Sequence, residues 1–221
     1  MRVAALMLVF LLAMLAVFSD VSQSQDQVNA NPIVVIETDF GTIEIEVFVE
    51  LVPITGKNFL KLVSDEFYNG LTFHRVIPGF VIQGGDPNCR PDPDPESGLC
   101  GTSGSEPKVP LEINEQLRHD KIGVVALARA QDPNSGSSQF YIALDLLPSL
   151  DDNFAVFGQV TSGLDIVLAI ANVSTDNRDR PMTPVVMNLV TLKMPDRDGD
   201  GIPDNEDFCI DFPGKEITNG C

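Results

Sequence analysis

The sequence predicts a mainly β domain that carries two helices and a small acidic appendage at its C-terminus. Three observations lead there. Runs of alternating apolar and polar residues recur between turn dipeptides, the signature of half-buried strands. Only two segments, 53–65 and 163–171, have a helical distribution of apolar residues. Beyond residue 195 the composition changes abruptly, to eight acids against two bases with few apolar residues.

Taken in order, Met1 begins a stretch with one positive residue, Arg2, followed by an uncharged apolar run to Phe18. That is the pattern of a secretory signal peptide spanning 1–24, with 25–31 as a polar linker. The run is slightly short for a membrane span, so no stable membrane insertion is expected once the signal is removed. Residues 31–49 read as a hairpin turning at Asp39-Phe40-Gly41, with Ile43, Ile45 and Val47 inward and Glu44 and Glu46 outward. Pro53 opens a helix whose apolar stripe is Phe59, Leu60 and Val63, leaving Thr55 or Lys57-Asn58 outward. After the Tyr68-Asn69-Gly70 turn come two short strands, 72–76 and 80–83, around Pro78-Gly79. Strict alternation places Phe73, Arg75 and Ile77 on one side and His74 and Val76 on the other, so Arg75, Phe80 and Gln83 can border one concave surface. Residues 87–110, dense in Pro, Asp, Gly and Ser, read as a long surface loop. Strands follow at 121–130, 138–144 and 185–193, with the second helix before the last of them.

The chain has 221 residues, 43% of them apolar, enough for one domain with a substantial core plus appendages. A net charge of −18 argues against a nucleic-acid partner and against attraction to anionic lipid. Export changes how the four cysteines are read. They allow three pairings, of which Cys89–Cys100 and Cys209–Cys221 are the most local. Their spacings are wide and neither histidine adjoins a Cys pair in sequence, which disfavours a metal site there. His74 reads as a core residue bonded to backbone, and His119 as a residue of a solvated loop.

The run Phe73-His74-Arg75-Val76-Ile77-Pro78-Gly79-Phe80-Val81-Ile82-Gln83-Gly84-Gly85-Asp86 resembles the signature of the cyclophilins, the family of peptidyl-prolyl cis-trans isomerases. Ala128-Arg129 with Ser138-Gln139-Phe140-Tyr141, and Leu150-Asp151 with Val156-Phe157-Gly158, resemble further blocks of the same family in the same order. The Ala-Arg form is similar to the bacterial branch. The resemblance spans a domain at 32–194 and implies an eight-stranded antiparallel barrel capped by two helices. It also implies an isomerase that needs no cofactor for catalysis and acts as a monomer on proline-containing polypeptides. Arg75, Phe80 and Gln83 are then the catalytic residues, and Val81, Ala128, Arg129, Gln139, Tyr141, Leu150 and Phe154 hold the substrate. Four positions depart from the family. Val81 stands for a usual Met, Tyr141 for a usual Phe with a hydroxyl that needs a partner, Ser149 for a frequent Trp and Phe154 for the groove His.

In the tail, 195–221, carboxylates recur as D-x-D-x-D-G-x-x-D-x-x-D, which resembles a thrombospondin type 3 repeat. Asp196, Asp198, Asp200, Asp204 and Asp207 are the candidate ligands of a structural Ca2+. The resulting expectation is an exported isomerase, periplasmic or extracellular and of a bacterial envelope, that accelerates folding of exported proteins. The alternative is a cyclophilin-fold binding module or chaperone tethered through its calcium tail.

Overall fold

A computed structural model describes residues 31–91 and 99–193. The signal-peptide reading, nearly all of the linker and the whole calcium tail, with its Cys209 and Cys221, lie outside the described residues.

Alternation builds the first hairpin as expected. β1 (Ile33–Thr38) and β2 (Gly41–Val47) bury Val34, Ile36, Ile43, Ile45 and Val47 and pair antiparallel across the tight turn. Helix α1 (Pro53–Ser64) follows, with Pro at its start, where the missing N–H costs no helical hydrogen bond. No side chain caps it locally. Instead Glu112, more than fifty residues on, accepts from the backbone N–H groups of Ile54 and Thr55 at 3.2 and 2.8 Å, placing a carboxylate on the positive end of the helix. Thr55 is fully buried, not outward, because the face that docks on the barrel runs through Thr55, Gly56, Phe59, Leu62 and Val63.

Next come β3 (Phe73–Ile77), β4 (Val81–Gly84), β5 (Val124–Leu127), β6 (Phe140–Ala143) and β7 (Val156–Ser162). Helix α2 (Leu164–Ile170) and β8 (Met187–Leu192) complete the described helices and strands. All eight strands join one antiparallel sheet in the order β3-β4-β6-β5-β7-β2-β1-β8. The two ends of that order meet. Thr72 bridges Val186, and Gly70 N–H and Phe73 N–H donate to the carbonyls of Met187 and Val185. This is the eight-stranded barrel with two helices that the sequence implies. β5 is shorter than the reading at 121–130, since the chain leaves the sheet at Ala128.

One alternation fails. The β3–β4 register slips between Phe73 and Arg75, so Phe73 and Val76 both reach the core while Arg75 and Ile77 remain outside. A bulge of this kind aims one side chain away from the pleat it would otherwise follow. Inside the barrel, Phe59 of α1 meets Tyr68, Phe140 and Phe157 at ring-centroid distances of 5.3, 5.4 and 4.9 Å. Gly163, at φ +78°, starts α2 so close to β2 that an added Cβ would lie 2.1 Å from the Thr42 carbonyl oxygen.

The Cys89–Cys100 disulfide forms as expected and closes the loop after β4. His74 is buried at 7% exposure, as a core residue, with its ring near the Thr72 backbone but no ring hydrogen bond of good geometry. Burial pushes its pKa down to about 4, the nearby Asp86 charge offsetting this only in part. Below the ordinary value of 6.5 the unfolded chain takes up a proton that the folded chain refuses. Stability therefore falls as pH drops from 6.5 towards 4, by about 2–3 kcal/mol at most. Denaturant titrations of wild type and His74→Gln across that window should show the step in wild type alone.

Candidate active site: an apolar slot with a guanidinium at its rim

Strands β4, β6 and β5 turn one set of side chains inward and the alternate set outward. The inward set (Ile82, Phe140, Ile142, Val125, Leu127) joins the barrel core. The outward set (Val81, Tyr141, Ala143, Val124, Ala126) forms a second apolar cluster with Leu147 and Val156. Phe80, Ala128, Leu150 and Phe154, each half-buried, pack around it. Phe80 enters from the turn before β4 and Leu150 from the 3-10 turn Pro148–Leu150. Phe154 stands edge-on to Tyr141, centroids 5.8 Å apart, and the Arg129 guanidinium lies 4.8 Å above its ring. Ser149, exposed in the same 3-10 turn, contributes nothing to this cluster.

Arg75 stands at the rim because of the β3 bulge. Its NH1 donates to Gln83 Oε1 at 3.3 Å. Gln83 Nε2 donates to Gln139 Oε1 at 2.8 Å, and Gln139 Nε2 donates to Ser103 O and Asp86 Oδ2 at 2.6 and 3.1 Å. The relay ends on Asp86, a fully buried carboxylate that also accepts from the N–H groups of Asn88, Gly101 and Ser103. A chain of amides anchored in this way holds the guanidinium without spending its remaining donors. Asp179, 3.9 Å from Arg75 Nε, is its nearest acid and is solvent-exposed. Gly101, Thr102 and Ser103 of the stapled loop wall a cavity of about 510 Å3 with Gln83, Ala128, Arg129 and Gln139. The long loop is thus a lip of the site as well as an insertion.

His119 is the largest departure from the sequence reading. It is fully buried, not solvated. Its Nδ1 lies 2.8 Å from Asp151 Oδ1, its Nε2 lies 2.9 Å from the Tyr141 hydroxyl, and its ring stacks on Tyr141. The anion at Nδ1 selects the tautomer in which Nε2 accepts the phenol proton. Asp151 also accepts from the His119 backbone N–H at 2.8 Å. Desolvation alone would raise the Asp151 carboxyl, but these bonds and nearby charges outweigh it and hold the carboxyl below its usual value. Burial raises the phenol of Tyr141 far above its ordinary range, so it stays neutral as a donor. The hydroxyl that the sequence leaves in need of a partner thus finds it in His119. In Tyr141→Phe the buried Nε2 is orphaned, and stability should drop by about 1–3 kcal/mol in thermal unfolding while kcat/KM stays within a few-fold, since the ring remains.

The structure therefore brings Arg75, Gln83 and Gln139 into one relay, and Phe80, Val81, Ala128, Tyr141, Leu150 and Phe154 into one apolar cluster. Arg129 is tied back to the carbonyls of Asn153 and Ala130 beside Phe154. Asp86, His119 and Asp151 were missed as supports. For Asp86 the signal was present, an acid directly after Gly84-Gly85 that ends β4.

The fold and site define a class: an eight-stranded antiparallel barrel with an apolar cluster on its outer wall, a guanidinium held through the neighbouring Gln83, and a cavity beside Gln139. Comparison with known proteins gives the family. Residues 33–192 match the model described as cyclophilin type peptidyl-prolyl cis-trans isomerase/CLD. Peptidyl-prolyl cis-trans isomerase ppi1 of Schizosaccharomyces pombe is 41% identical over 158 residues, 71% of this chain and 97% of that protein. The Arabidopsis thaliana isomerase CYP18-2 is 37% identical, covering 70% of this chain and 89% of its own length. A crystal structure of a Cryptosporidium parvum cyclophilin type isomerase, in the presence of the dipeptide Ala-Pro, superposes with TM-score 0.65 at 28% identity. It covers 74% of this chain and 99% of that one. The chain belongs to the cyclophilin-type peptidyl-prolyl cis-trans isomerases.

Proposed function

We propose that this chain accelerates cis–trans isomerisation of X-Pro bonds in exported polypeptides and that Arg75 stabilises the transition state. The observation that carries the reading is the Arg75–Gln83–Gln139–Asp86 relay, which holds a guanidinium through Gln83, whose strand partner Tyr141 belongs to the apolar cluster with Phe80, Val81 and Leu150. Rotation about an X-Pro amide is slow because the C–N bond has double-bond character, with a barrier of about 18–20 kcal/mol. As the bond twists, the prolyl nitrogen becomes pyramidal and regains its lone pair. A guanidinium N–H aimed at that nitrogen binds the twisted form more strongly than either planar one. The apolar slot holds the ring and excludes water, which favours the less charge-separated twisted amide. The Ala-Pro dipeptide named with the Cryptosporidium structure supports proline as the recognised residue.

Export rests on the charge and hydropathy pattern of residues 1–24, and the Cys89–Cys100 bond agrees with an oxidising destination. Calcium binding by the aspartates of 195–221 belongs to the same proposal, as a structural and not a catalytic element. NMR exchange spectroscopy on an Ala-Ala-Pro-Phe peptide tests the activity directly. Catalytic amounts of the chain should bring cis and trans resonances into exchange; resonances left in slow exchange would contradict it.

A further inference from the structure

We propose that His74, Cys89 and Cys100 form a zinc site when the Cys89–Cys100 bond is reduced. The inference is independent of the isomerase reading, and it reverses the expectation that neither histidine lies near a cysteine pair. One ligand atom from each of the three residues falls within 4.8 Å of the others. Folding achieves what sequence spacing hides. β3 carries His74 past the start of the loop, and Thr72 N–H donates to the Cys89 carbonyl at 3.0 Å, pinning Cys89 beside it.

Two further features favour a bound cation. His74 is more than nine-tenths buried, and neither ring nitrogen makes a hydrogen bond of good geometry, with only a loose contact to the Thr72 backbone. Buried polar atoms are rarely left so, and an ion is one of the few ways to satisfy them. The cysteines are also positioned by bonds other than their own. The Asp86 carbonyl accepts from Cys89 N–H at 3.0 Å, and Asp86 Oδ2 accepts from Gly101 N–H at 2.9 Å, next to Cys100. Reduction therefore leaves both thiols near the histidine. Tetrahedral zinc places its sulfur and nitrogen ligands about 2.3 and 2.0–2.1 Å away, hence roughly 3.5–3.8 Å from one another, so the freed sulfurs need to part by only about 2 Å. A cavity of about 300 Å3, lined by all three residues and by Thr72, Asn88 and Arg90, leaves room for entry and for a water as fourth ligand.

The chemistry balances with a dithiol reductant. Its thiolate attacks one cysteine sulfur and its second thiol resolves the mixed disulfide. Two electrons pass to the protein sulfurs, and the reductant leaves as its own disulfide. Zn2+ then displaces the two thiol protons and accepts the neutral imidazole. The loop that walls the groove is closed in either state, by sulfur–sulfur or by metal.

The test uses the full chain with Cys209→Ser and Cys221→Ser, so that only Cys89 and Cys100 supply thiols. Reduced with a phosphine and titrated with Co2+, it should bind one equivalent, with a thiolate-to-cobalt charge-transfer band and tetrahedral d–d bands. One equivalent of Zn2+ should erase both. The disulfide form should show neither band. His74→Gln, with folding checked by circular dichroism, should weaken Co2+ binding at least tenfold. Alkylating the two thiols of the reduced double-serine chain with His74 intact should abolish it and guards against a misfolded variant. No charge-transfer band in the reduced chain, or affinity kept within threefold in folded His74→Gln, would overturn the proposal.

Discussion

Replacing Arg75 with Ala should lower kcat/KM on a prolyl tetrapeptide by about 100- to 1,000-fold, the usual cost of losing one preorganised donor at a developing charge. That corresponds to about 3–4 kcal/mol of transition-state stabilisation. Stability should scarcely change. The Arg75 side chain is 40% exposed and its only ion pair among the described residues, with Asp179 at 3.9 Å, lies at the surface, where such pairs contribute about 0–1 kcal/mol. Arg75→Lys should recover little. A lysine keeps the charge but cannot both donate to Gln83 and present a second N–H in a fixed plane to the substrate. Gln83→Ala should give a milder loss, expressed in kcat more than in KM, because it frees the guanidinium without removing it. A protease-coupled assay of the three variants beside wild type checks the series. A binding module would give equal rates for wild type and Arg75→Ala.

The second large effect is on folding. Phe59→Ala should destabilise the domain by about 3–5 kcal/mol, the range for deleting a buried aromatic ring. Phe59 is 1% exposed and touches three other aromatic rings, so its removal takes away the residue through which α1 closes one end of the barrel. A cavity there cannot collapse easily, since two of the three neighbouring rings, Phe140 and Phe157, belong to paired strands. Urea denaturation should show a lower midpoint at unchanged m-value. Folded Phe59→Ala should keep its kcat/KM, because no atom of the slot or the relay is altered. A variant that lost activity while folded would couple the core to the site in a way this geometry does not provide.

Much of this protein is legible in its sequence because its informative features are local. The alternation of 33–47, the Pro78-Gly79 turn and the Pro53 helix start each need only neighbouring residues to be read. The motif singles out Arg75, Phe80, Gln83, Tyr141 and Leu150; the fold ties Arg75 to Gln83 and gathers Phe80, Tyr141 and Leu150 in one apolar cluster. What stayed hidden depends on partners far along the chain. The bulge that turns Arg75 outward arises from how β3 pairs with β4, and strict alternation assigned Phe73 to the wrong side. His119 looks like a loop residue until Asp151 and Tyr141, 32 and 22 positions away, enclose it. Glu112 caps α1 across 57 residues. The approach of His74 to two cysteines is likewise a product of tertiary folding, invisible in spacing.

The central claim is that a fixed guanidinium beside an apolar slot lowers the barrier to imide rotation. A crystal structure of this chain with Ala-Pro bound tests it most directly. The account predicts the pyrrolidine ring against Phe80, Tyr141 and Leu150, and an Arg75 N–H within hydrogen-bonding distance of the prolyl residue while Gln83 still holds the guanidinium. A proline bound elsewhere, or Arg75 turned away onto Asp179 with the slot filled, would contradict it.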